Sequence, residues 1–142
     1  MTNQQNFQPI HRSVSDFFPK ANSAKVLGYN AGHEYQSYVP TEEPGYVHRH
    51  QFVREYVSWH NKPGELGMMI VGPTGSGKTT GLLSINHHLN IPTIIVSCHR
   101  DMSLIELKGT MQFVTDPQTQ QSVTKYVYGP VAMAFKYGFS LV

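Results

Sequence analysis

The stretch Gly72-Pro73-Thr74-Gly75-Ser76-Gly77-Lys78-Thr79 fits G-x-x-x-x-G-K-[ST] without a mismatch. The chemistry of such a loop follows from its residue types. Glycines at 72, 75 and 77 admit positive φ and let backbone N–H groups approach phosphate oxygens. Lys78 is a point charge able to reach β- and γ-phosphates, and the Thr79 hydroxyl is a ligand for Mg²⁺. A helix starting at this point adds unpaired N–H groups and the positive end of its dipole. The candidate phosphate-binding residues are therefore Gly72, Pro73, Thr74, Gly75, Ser76, Gly77, Lys78, Thr79 and Thr80.

The flanks carry the order that such a loop requires. Gly67-Met68-Met69-Ile70-Val71 is a short apolar run ending at Gly72, as expected of a buried parallel strand. Beyond the loop, Leu82, Leu83, Ile85 and Leu89 recur at helical spacing, and Asn90-Ile91-Pro92 ends that helix. Thr93-Ile94-Ile95-Val96-Ser97 reads as a second buried strand, which would complete a right-handed βαβ unit with residues 67–71.

Elsewhere the pattern is more local. Residues 1–45 are polar and rich in Asn, Gln, Ser and Pro, and read as a mostly irregular arm ending in the turn Thr41-Glu42-Glu43-Pro44-Gly45. Phe52, Val53, Tyr56 and Val57 form one apolar helical face, stopped by Lys62-Pro63-Gly64. Trp59 near its end is a packing residue or a neighbour of a nucleotide base. Ser103-Leu104-Ile105-Glu106 has capping-box spacing, with Gly109 at the C-terminal cap of a short helix. Thr110–Thr115 and Ser122–Tyr128 read as strands of a hairpin with its tip at Asp116–Gln121. Gly129-Pro130 opens a further helix that Gly138 closes, and Phe139–Val142 begins a strand.

Composition narrows the class. The 142 residues make one domain or most of one, with 11 basic and 9 acidic residues and a net charge of +2. That balance does not indicate nucleic acid or a charged membrane surface. A lone cysteine, Cys98, excludes an internal disulfide and fits a reducing compartment. With no signal-peptide pattern at the N-terminus and no apolar run of membrane-spanning length, the expected location is cytoplasmic. His48-Arg49-His50 and His87-His88 lack Cys or carboxylate partners at metal-site spacing, so no protein-held metal centre is expected. Cys98 follows an apolar strand, where a thiol is expected to be buried and inert.

The order of these pieces resembles AAA+ ATPases. It runs from the phosphate loop through Val96-Ser97-Cys98-His99-Arg100-Asp101, Leu104-Ile105-Glu106-Leu107-Lys108-Gly109 and the hairpin to Gly129-Pro130-Val131-Ala132-Met133-Ala134. More narrowly, it is similar to the MoxR, cobaltochelatase small-subunit and dynein/midasin-related group. There a short Asp-Leu-(Ile/Val)-Gly helix stands where this chain has Glu106-Leu107-Lys108-Gly109. The resemblance covers residues 46–142. It implies an α/β P-loop NTPase fold, a parallel sheet flanked by helices with a β-hairpin insert, incomplete at its C-terminal end. It also implies ATP and Mg²⁺ as ligands, a homo-oligomeric (hexameric) ring and a protein partner that ATP hydrolysis remodels. In that group the third strand, here Phe139–Val142, ends in an acidic pair that holds Mg²⁺ and polarises water. The Walker B carboxylates are therefore expected just after Val142, and no catalytic residue is assigned within the chain. A secretion/pilus-type ATPase has an almost identical phosphate loop, but its acidic, proline-containing box is not matched at Cys98-His99-Arg100-Asp101-Met102. A non-catalytic nucleotide-binding module is the remaining alternative.

Overall fold

Local sequence and long-range packing both shape the first of two compact units, Met1–Pro92 and Thr93–Val142. The computed structural model describes residues 7–19, 24–62, 64, 67–115 and 122–142. In the first unit, strand β1 (Pro9–Ser13) pairs antiparallel with β2 (Lys25–Tyr29), Pro9 opposite Tyr29 and Ser13 opposite Lys25. Helices α1 (His50–His60) and α2 (Lys78–His88) follow.

The arm is where sequence and structure part most clearly. Residues 1–45 were expected to be mostly irregular, yet β1, β2 and two 3₁₀ turns, Val14–Asp16 and Gln36–Tyr38, lie there. The reason is burial: Val14, Phe18 and Val26 join Val53, Tyr56, Ile85, Leu89 and Ile91 in one core cluster. Scattered single apolar residues leave no local period, although each fully buried aliphatic side chain contributes about 1.5–3 kcal/mol. The edge of β2 is fixed to the end of α2, since the Tyr29 N–H donates to the Leu89 carbonyl at 2.8 Å.

The helices start and stop close to where their signals stand. On α1, Val53 and Tyr56 are buried, with Phe52 and Val57 packed partly against the core. Trp59 also packs there, its ring 5.7 Å from that of Tyr56, in keeping with the packing role. Helix α2 departs from its apolar stripe: Gly81, Ser84, Ile85 and Asn86 are buried, whereas Leu82 and Leu83 are half-buried. Asn86 is admitted because the Tyr56 hydroxyl donates to its Oδ1 at 2.8 Å.

Residues 67–71 do not form the expected ladder; among the described residues no strand is paired there. Their exposure nevertheless alternates as a strand's does. Met68 and Ile70 are half-buried, while Met69 and Val71 are 88% and 79% exposed. A parallel strand needs hydrogen-bonded neighbours and cover on both faces, and this segment has cover on one.

In the second unit, β3 (Thr93–Ile94) is shorter than the expected 93–97 and pairs parallel with β6 (Ser140–Leu141). Bonds between Val96 N–H and Val142 O, and between Val142 N–H and Ile94 O, extend that pairing. Between these strands lie α3 (Leu104–Lys108), β4 (Gly109–Thr115), β5 (Ser122–Tyr128) and α4 (Pro130–Tyr137). The capping box forms, with the Glu106 N–H donating to Ser103 Oγ and the Ser103 N–H donating to Glu106 Oε1. Strands β4 and β5 pair antiparallel from Gly109–Tyr128 to Thr115–Ser122. The expected tip, 116–121, lies outside the described residues. Cys98 is exposed rather than buried, because the short β3 ends before it.

Candidate phosphate-binding site

The first turn of α2 creates the site. Gly77 stands at its N-cap with φ 78°, and no side chain caps the turn. The leading N–H groups of the helix are thus not taken up by a capping side chain. Gly75 also has positive φ, 75°, and nothing lies within 4 Å of where a Cβ would project. Both left-handed conformations favour glycine, and open space at Gly75 lets a ligand approach the backbone.

Lys78 folds over its own loop. Its ammonium donates to the Gly72 carbonyl at 2.9 Å, the Pro73 carbonyl at 2.7 Å and Ser76 Oγ at 3.5 Å. The positive charge is therefore held against its own loop by neutral acceptors alone among the described contacts. Thr74 and Thr79 are exposed, and Thr80 is half-buried. Beside the loop lies a cavity of about 460 Å³, bordered by Tyr46, Arg49, Phe52, Glu55, Met68–Pro73 and Lys78 among others. The donor set fits a polyphosphate: cationic Lys78, backbone N–H groups and the hydroxyls of two exposed residues, Thr74 and Thr79.

Tyr46 is a neighbour that sequence reasoning missed. Its hydroxyl donates to the Gly77 carbonyl at 3.3 Å, and its ring lies 3.3 Å from the Cβ position of Gly77. An added Cβ at Gly81 would collide with the same hydroxyl. The signal that could have found it is the spacing Gly77, Gly81, Ser84, which places three small residues along one face of α2.

The two histidine clusters meet on that face. His48 Nε2 lies 3.1 Å from Ser84 Oγ, and the His48 ring stands edge-on to Tyr46 at 5.1 Å. His88 is 5.9 Å from His48 and stacks on Phe17 at 4.9 Å, while His87 Nδ1 bonds the Pro40 carbonyl at 2.8 Å. Burial, followed by the neighbouring His88, holds His48 below its ordinary pKa. Burial and then His87 lower His88, with Glu42 pulling upward and Arg12 downward. No group of three or more His, Cys, Asp or Glu able to hold a metal ion occurs among the described residues. Likewise, no helix of the described residues is long and apolar enough to cross a membrane.

Comparison with known proteins places the chain in a family. The AAA domain family of the dynein-related subfamily matches residues 67–142, more than half of the chain. An uncharacterized protein of Staphylococcus epidermidis is 34% identical over 74 residues, covering 52% of this chain and 28% of that protein. One of Staphylococcus haemolyticus is similar to the same extent. The denitrification regulatory protein NirQ of Stutzerimonas stutzeri is 45% identical over 42 residues, covering 30% of this chain and 15% of NirQ. The match thus spans less than a third of each of these relatives. No solved structure matches. With the P-loop NTPase fold that the family implies, the chain belongs to the dynein-related AAA domains.

Proposed function

We propose that this chain is the nucleotide-gripping part of an ATP-binding AAA+ ATPase related to the MoxR and cobaltochelatase small-subunit group. The observation that carries the reading is the loop itself. Left-handed Gly75 and Gly77, cationic Lys78 and the uncapped start of α2 converge beside one cavity. In this reading residues Gly72–Thr80 take the phosphates of ATP. Lys78 leaves the carbonyls of Gly72 and Pro73 for the β- and γ-phosphates, and Thr79 supplies a hydroxyl ligand to Mg²⁺. Bound Mg²⁺ would neutralise phosphate charge as it develops during transfer.

The organisation proposed is an arm over residues 1–45 and an AAA+ core over 46–142, acting in the cytoplasm as part of a homo-oligomeric ring. ATP hydrolysis there would remodel a protein partner, and the β4–β5 hairpin is the insert that meets it. A second reading is a module that binds ATP without hydrolysing it efficiently, since Glu55 is the one carboxylate among the described residues that border the cavity.

Phosphate release and thermal protection, measured on the same 142-residue preparation, separate these functions. Both readings require Mg-ATP to raise the melting temperature, because a ligand stabilises only the state that binds it, and on the second reading phosphate release stays at background. Turnover at about 1 s⁻¹ or faster, in the ordinary enzyme range, would place the catalytic groups inside the chain and overturn the second reading. Absence of protection at millimolar Mg-ATP would overturn both.

A further inference from the structure

Tyr46 touches the loop at the one peptide that joins its last glycine to its lysine. The Gly77 carbonyl accepts two donors, the Gly81 N–H at 2.8 Å within the helix and the Tyr46 hydroxyl at 3.3 Å. A peptide unit is planar, so fixing that carbonyl also fixes the direction of the Lys78 N–H at its other end. That N–H is among the helix's leading donors. The tyrosine is itself braced. Its ring meets the edge of His48 at 5.1 Å and 81°, and His48 is bonded to Ser84 at 3.1 Å. Upstream, the Tyr46 N–H bonds the Glu43 carbonyl at 3.3 Å, closing the turn at Gly45. Gly77, Gly81 and Ser84 recur on one face of α2, so Tyr46 and His48 can approach that face closely.

We infer that Tyr46 is a positioning residue of the phosphate loop, holding the Gly77–Lys78 peptide in the orientation that grips polyphosphate. The inference rests on the nucleotide-binding reading above and adds a residue outside the motif to it. Tyr46 acts through Gly77 rather than on a base, so its effect belongs to phosphate binding whatever is attached to the phosphates.

Titrations with Mg-ATP and with Mg-tripolyphosphate, which has no base or sugar, test this on the native chain, Tyr46→Phe and Tyr46→Ala. Tyr46→Phe keeps the ring and loses only the hydrogen bond. It should weaken both ligands by roughly three- to tenfold, the scale of one hydrogen bond. Tyr46→Ala should weaken both by about tenfold or more, the two ligands falling together. A merely structural role would lower the melting temperature of the variants and leave the affinities of the folded protein unchanged. That outcome overturns the inference, as does a loss confined to ATP, which would put the ring on the base. If Tyr46→Ala does not fold, the near-isosteric Tyr46→Phe carries the same comparison. A native chain that binds neither ligand overturns the nucleotide-binding reading itself, a result distinct from equal binding by native and variant.

Discussion

The Tyr56 hydroxyl donates to Asn86 Oδ1 at 2.8 Å, joining α1 to α2 through a bond between two buried side chains. Burial also pushes the Tyr56 phenol well above its ordinary pKa, so it remains a donor throughout the neutral range. The helix that begins at the phosphate loop is thereby anchored to the helix beside it at a polar point inside the core.

Tyr56→Phe should destabilise the chain by about 0.5–1.5 kcal/mol, the net worth of one hydrogen bond, while the ring volume is kept. Chemical denaturation checks it, with the slope of the transition expected to be unchanged. A variant as stable as the native chain would mean that the bond contributes nothing net.

Acid should loosen the same region. His48, His60 and His88 all have pKa values lowered from 6.5, each with burial as the largest cause. For His60 the Leu27 carbonyl, bonded at 3.1 Å, opposes that shift. A group whose folded pKa is depressed binds more protons unfolded, so its contribution is complete above 6.5 and declines as pH falls below it. Protonation would also set like charges on His48 and His88, whose rings are 5.9 Å apart. Melting temperatures should therefore be flat from about pH 8 to 7 and fall from about pH 6.5 to 5. His88→Gln should make that fall shallower. A melting temperature that rises on acidification over this interval would contradict the assignment.

What was legible in the sequence is local. Ser103 and Glu106 three residues apart make a capping box, and Pro130 with Gly138 brackets α4, because those signals act within one or two helical turns. The loop motif is similarly self-contained. Contacts that join distant segments were not legible. Ser84 and Asn86 look like solvent-facing residues on α2 until His48 and Tyr56 reach them from 36 and 30 positions away. Val14 and Val26 carry no period that marks them as core, yet both are 0% exposed. Conversely, the apolar composition of residues 67–71 suits a buried strand, but strand formation depends on neighbours that composition does not specify. Tyr46 belongs with the first kind of miss: its partner Gly77 lies 31 positions on.

The central claim is that Lys78 and the turn it opens grip phosphate, and a calorimetric titration of Mg-ATP into native chain and Lys78→Ala tests it most directly. Lys78 bonds only neutral groups of its own loop among the described contacts, so its removal should leave the fold intact. The account predicts measurable binding by the native chain. It also predicts an affinity at least about tenfold weaker in the variant, the scale of a charged hydrogen bond. Equal affinity of the two folded proteins for Mg-ATP would contradict it.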